Sequence, residues 1–170
     1  TIALNQPRPV YITNRSVFSP GQDVSVTPQG LLYRLSQKSD KGIKPLAWDE
    51  VAVRNVDSSA SSTDAMERSL AASYYRMHAE YLFLKGNKAE GAAELDRSAR
   101  AVWDDHKAVN NLGSVAAEYG VEDLAVRFFA RACDIWPPYL TPRVNLAGLA
   151  IRRGDIRLAD GLIDEIEHKA

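Results

Sequence analysis

The amino-acid sequence predicts a mainly α protein: a solenoid of about six antiparallel helices behind a small amino-terminal β or extended cap. Three observations carry this. Gly86, Gly120 and Gly154 stand 34 residues apart, each between two helical patterns. Five of the eight prolines (Pro7, Pro9, Pro20, Pro28 and Pro45) precede residue 60, where they forbid long helices. From Ala65 onward apolar residues recur at helical spacing, as in Leu70, Tyr74, Met77, Tyr81 and Leu84.

The first stretch, residues 1–60, reads as a small β or extended segment. Its strand candidates are Val10–Thr13, Val24–Thr27, Leu31–Leu35 and Val51–Val53. Val10-Tyr11-Ile12-Thr13 is β-branched and aromatic, which suits a pleated surface. Gln29-Gly30 after Pro28 reads as a turn. Next, Asp57 to Asp64 spells DSSASSTD, a serine-rich run with no apolar anchor, which reads as a linker. Asp64 followed by Glu67 fits a reciprocal helix cap. The helical part, 61–170, is expected to hold helices near 65–84, 88–104, 107–119, 122–135, 140–152 and 156–168.

Composition narrows the function classes. The chain has 170 residues, 45% of them hydrophobic, enough to bury a core without disulfides or metals. Net charge is −1, which gives no global pull toward nucleic acid or an anionic membrane. The single cysteine, Cys133, excludes an internal disulfide and a multi-cysteine metal site. The longest uncharged apolar stretch, near Val144 to Ile151, falls far short of the ~20 residues of a membrane helix. The chain opens on Thr1 rather than Met, which points to a piece processed or excised from something longer.

The 34-residue unit resembles the tetratricopeptide repeat. The second unit, from His106, carries the family marks at Leu112-Gly113, Ala116, Gly120, Ala125, Phe129, Ala132 and Pro137. The third, from Leu140, has Leu146-Ala147, Ala150, Gly154, Ala159, Ile163 and Ile166. The first, from Ala72, has Tyr75, His78-Ala79, Leu82, Gly86, Gly91, Leu95 and Trp103. It departs most, with His78 in place of leucine and Ser98 in place of a small apolar residue. Small residues let paired helices approach, and large ones such as Leu112, Phe129, Leu146 and Ile163 fill the gaps. Pro137-Pro138 forces a turn between units.

No catalytic constellation emerges. A phosphate-cradling glycine loop and paired metal-ligand spacings are missing from the sequence. His78, His106 and His168 lie apart, and His78 falls on a core-type position. Cys133 beside Ala132 reads as a buried structural thiol. The acidic pairs Asp49-Glu50 and Asp104-Asp105 read as helix starts or solvated turns. Trp48, Trp103 and Trp136 read as packing residues. The expectation is a chain that is not an enzyme and carries no cofactor or metal.

The repeat resemblance implies a concave binding face lined by the first helix of each pair. The residues that map there are Arg76, Glu80 and Phe83, then Lys107, Asn110, Asn111, Ser114 and Glu118, then Thr141, Val144, Asn145 and Arg152. Of these, Arg76, Glu80, Lys107, Asn110, Asn111, Ser114, Asn145 and Arg152 are the candidate partner-binding set. Asparagine offers a donor and an acceptor to an extended peptide backbone. The carboxylate clamp of chaperone-binding relatives is not matched. Arg76 and Asn111 fit it, but Glu80, Thr141 and Asn145 occupy its other places.

A second resemblance concerns the amino-terminal part. Arg8-Pro9-Val10-Tyr11-Ile12-Thr13-Asn14 and Gln29-Gly30-Leu31-Leu32-Tyr33-Arg34-Leu35 are similar to the soluble tails of bacterial polytopic membrane proteins of the glycosyltransferase-like, mannosyltransferase-related group. That resemblance implies that Thr1 follows a membrane segment and that the module lies outside the cytoplasm. Independently of that resemblance, the segment reads as a small β cap shielding the first hairpin, with Tyr11, Leu32 and Tyr33 as packing residues, and the two readings are compatible.

Two functional expectations result. One is a non-catalytic module that binds a protein or peptide partner, with no nucleic acid and no membrane insertion of this chain. The other is an extracytoplasmic accessory domain of a membrane-bound sugar-transfer protein. Location stays open between that setting and the cytoplasm, and the oligomeric state is not legible.

Overall fold

The computed structural model describes residues 10–12, 24–29, 32–37, 48 and 55–168. The chain divides into two compact units, Thr1–Asn55 and Val56–Ala170. The first contains a three-stranded antiparallel sheet of β1 (Val10–Ile12), β2 (Val24–Gln29) and β3 (Leu32–Gln37) in the order β1-β3-β2. Val10 pairs with Leu35, and Val26 faces the same Leu35 from the other side. β2 runs on through Pro28, opposite Tyr33, two residues past the expected end at Thr27, and takes in Gln29 of the expected turn. It is an edge strand, where a missing backbone donor is tolerated. Thr13, Gly30, Leu31, the expected strand Val51–Val53 and the pair Asp49-Glu50 lie outside the described residues.

The second unit is all-helical. Among the described residues it has seven helices: α1 (Val56–Ala60), α2 (Ala65–Leu84), α3 (Lys88–Ala101), α4 (His106–Glu118), α5 (Glu122–Ile135), α6 (Thr141–Arg153) and α7 (Ile156–Glu167). α2 pairs with α3, α4 with α5 and α6 with α7, antiparallel, like the hairpins of a tetratricopeptide-repeat solenoid. α3 touches α4, α5 touches α6 and α4 touches α6, so successive pairs stack.

Local chemistry sets the boundaries. Asp64 Oδ1 accepts from the amides of Met66 (2.7 Å) and Glu67 (3.3 Å) and starts α2. The reciprocal half of the expected cap is supplied differently, because the Asp64 amide donates to Ser62 Oγ at 3.1 Å rather than to Glu67. Asp105 caps α4 through Lys107 N and Ala108 N. This ends the preceding helix at Ala101, three residues short of the expected 104. Gly86, Gly120 and Gly154 have φ of +85°, +70° and +75°, the left-handed region that closes the first helix of each pair.

α1 overturns the linker expectation for Asp57–Ala60. Its serines carry no apolar stripe, but Asp57 is fastened by long-range partners. Tyr75 Oη donates to its Oδ1 at 2.5 Å and Arg97 Nη2 at 2.6 Å. Tertiary contacts hold what local propensity leaves open.

The core runs through the stack. Phe83, Leu95, Val109, Leu112, Leu124, Phe128, Phe129 and Leu149 are buried with Ala79, Ala116, Ala125 and Ala132. Close approach depends on missing side chains. A Cβ at Gly113 would lie 2.6 Å from Phe129 Cε1, and one at Gly91 would lie 2.5 Å from Phe83 Cε1. The odd serine of the first unit is explained here. Ser98 is buried, and its hydroxyl donates to the Ala72 carbonyl at 2.7 Å, so α2 and α3 are joined by a satisfied polar contact.

Some packing expectations fail. Ile163 is exposed rather than a gap filler, and Cys133 is half-buried. Trp48 is buried, whereas Trp103 and Trp136 are exposed. Trp136 stacks on His106 with ring centroids 5.9 Å apart. Beside it, buried Arg143 donates to the Pro137 carbonyl at 2.7 Å and to Glu165 at 3.2 Å, joining the inter-repeat turn to α7.

Candidate functional site

The first helices of the pairs, α2, α4 and α6, carry the candidate residues. On α4, Lys107, Asn111, Ser114 and Glu118 follow the i, i+4, i+7, i+11 pattern and are all exposed. They form one polar stripe opposite buried Val109, Leu112 and Ala116. Thirty-four residues on, α6 repeats the stripe as Thr141, Asn145, Gly148 and Arg152. Here Arg152 is exposed and Asn145 half-buried.

The rest of the candidate set lies deeper. Glu80 is 1% exposed, and its Oε1 accepts from Arg76 Nη1 at 2.6 Å. Asn110 is 4% exposed, and its Oδ1 accepts from Asn145 Nδ2 at 3.0 Å. These contacts lie within the fold: the first is one turn along α2, and the second joins α4 to α6. Phe83, also placed on this face by its spacing, is buried and stacks on Tyr119 at 4.9 Å. Lys107, Asn111, Ser114 and Arg152 are the exposed members of the set.

A second feature had no signal in the sequence. Where α1, α2 and the end of α3 meet, a recess of about 700 Å³ is lined by Asp57, Ser61, Thr63, Arg68, Arg97 and Trp103, among others. Arg68 is held by the Ala101 carbonyl (3.1 Å) and by Asp104 (3.0 Å). Burial, then the hydrogen bond to Asp57, pushes the Tyr75 phenol up to about 12. Along α3, burial draws the Glu94 carboxyl upward, but hydrogen bonds from His78 and Arg97 outweigh it and hold it below its ordinary value. His78 sits half-buried 3.5 Å from Glu94 and stacks on Tyr81, so it belongs to a polar and aromatic cluster rather than the apolar core. Asp57 appeared to lie in a linker, and nothing in its spacing connects it to Tyr75 or Arg97.

Among the described residues no group of His, Cys, Asp and Glu is arranged to hold a metal, and no helix is long and apolar enough to cross a membrane. No family model and no curated protein matches the chain. Among solved structures it is similar to the crystal structure of MamA, at 16% identity and a TM-score of 0.46, over 62% of this chain and 64% of that one.

Proposed function

We propose that the helical unit is a non-catalytic protein-interaction module that takes an extended peptide segment of a partner along its first helices. The observation that carries this reading is the exposed polar stripe of α4, Lys107–Asn111–Ser114–Glu118, continued on α6 by Asn145 and Arg152. Asparagine amides present a donor and an acceptor at fixed spacing, which matches the alternating groups of an extended backbone. Lys107 and Arg152 add charge that selects among side chains or a carboxylate. The buried members, Glu80 and Asn110, support the face from within through Arg76 and Asn145.

The test is selection of peptides from a displayed library on the immobilised 170-residue chain. Enriched peptides should bind wild type and lose at least about tenfold in affinity to a Lys107→Glu, Asn111→Ala chain of unchanged helicity. Peptides held equally by both chains would place binding elsewhere, and a library that never enriches would remove the reading.

A further inference from the structure

Three arginines line the recess between α1, α2 and the end of α3, and the fold gives carboxylates to two of them. Arg68 holds both oxygens of Asp104, at 3.2 and 3.0 Å. Arg97 holds Asp57 at 2.6 Å and Glu94 at 3.1 Å, and its guanidinium lies 4.7 Å from the centroid of the Tyr75 ring. The third, Arg100, is exposed and makes no ion pair among the described residues. Acids stand four residues away on either side of it, at Asp96 and Asp104. Both are turned elsewhere: Asp96 meets Arg127 of α5 at 3.3 Å, and Asp104 meets Arg68 of α2. A cation in the last turn of α3 suits the negative end of the helix, yet that leaves its planar fork of donors open.

Trp103 follows three residues on and lines the same recess. It is 57% exposed. Trp136, at the end of α5, is about as open, but His106 lies against its ring. Among the described residues no ring covers Trp103. The Thr63 hydroxyl adds a donor to the lining. At about 700 Å³ the recess falls within the roughly 300–1,000 Å³ of ligand sites. It is not a broad positive field, because Asp57, Asp104 and Glu94 offset the three arginines. Its offer is local: one guanidinium without a carboxylate beside one uncovered aromatic face. The same surface already takes a carboxylate from its own chain. Arg97 and the Tyr75 hydroxyl converge on Oδ1 of Asp57, which stands on a five-residue helix with no buried residue.

We infer that this recess binds an acidic peptide segment of a partner. A glutamate or aspartate side chain is taken by the Arg100 fork, and the ring of a neighbouring peptide residue lies on Trp103. That a peptide carries these groups rests on the protein-interaction reading above. The residues themselves are separate from the polar stripe of α4 and α6, so the two sites can be tested one against the other.

The test is a titration of the isotope-labelled 170-residue chain with the hexapeptide Glu-Tyr-Glu-Tyr-Glu-Tyr, read by NMR at the indole N–H resonances of its three tryptophans. Trp103→Phe assigns the resonance that matters. The Trp103 signal should move saturably while the Trp136 signal stays. The hexapeptide with glutamine in place of glutamate should bind at least about tenfold more weakly, and Arg100→Gln should weaken the glutamate peptide by a similar factor. Arg100 is exposed and without an ion pair among the described residues, so that substitution should keep helicity and melting. The Lys107→Glu, Asn111→Ala chain should respond as wild type. A motionless Trp103 signal would overturn the inference, as would equal binding of the glutamine peptide or full affinity in Arg100→Gln. The same shift produced by inorganic phosphate alone would overturn it too, since the recess would then hold a simple anion. Loss of the Trp103 response in the Lys107→Glu, Asn111→Ala chain would place the peptide on the stripe, which removes the recess and spares the stripe. Enrichment of displayed peptides alongside a silent Trp103 would do the same.

Discussion

Asn145 donates its side-chain amide to the Asn110 side-chain oxygen at 3.0 Å, across the joint between the second and third repeats. Asn110 is buried, so the bond does more than decorate the face: it supplies a partner to a polar group that water cannot reach. An unpaired group there would cost about 1–3 kcal/mol.

Asn110→Ala should therefore destabilise the chain by about 1–2 kcal/mol in urea unfolding. Asn145→Ala added to it should cost little more, since the two groups share one bond. Full additivity of the two changes would show that the bond contributes nothing.

Gly113→Ala probes the closest approach in the second hairpin. Its new methyl would lie 2.6 Å from the Phe129 ring, so α4 and α5 must part or the ring must turn. A loss of about 1–3 kcal/mol is expected. Phe129→Leu should recover part of it by vacating the space, and a melting temperature that Gly113→Ala leaves unchanged would contradict the packing.

Acid should weaken the first hairpin through Glu94. Its folded pKa is depressed, so its contribution to stability is complete above the ordinary carboxyl value of 4.5 and is lost as pH falls through the lower folded value. Glu94→Gln should flatten this acid limb. An acid limb identical in the two proteins would assign the effect to other carboxylates.

The helical hairpins were legible because their determinants are local and periodic. Gly120 shows this best: one residue type at one spacing marks a left-handed turn, and the turn is there. Asp105, in a pair that reads as a helix start or a solvated turn, caps the start of α4. The site was less legible, because exposure depends on neighbours in space. Asn110 and Asn111 are adjacent and identical in chemistry, yet one is buried under α6 and the other faces solvent. Helical phase separates them by about 100°, and only the position of the next repeat decides which is covered. α1 was illegible for a related reason, since Asp57 is secured by Tyr75 and Arg97, 18 and 40 residues away.

Arg143 has a consequence for how the array comes apart. Its guanidinium is fastened both to the Pro137 carbonyl and to Glu165 of α7. If α7 peels off, that guanidinium loses its carboxylate while its grip on the bend ahead of α6 weakens. Fraying of the last helix and loosening of the bend should then be one event, with amide protons on either side exchanging together as a single foldon.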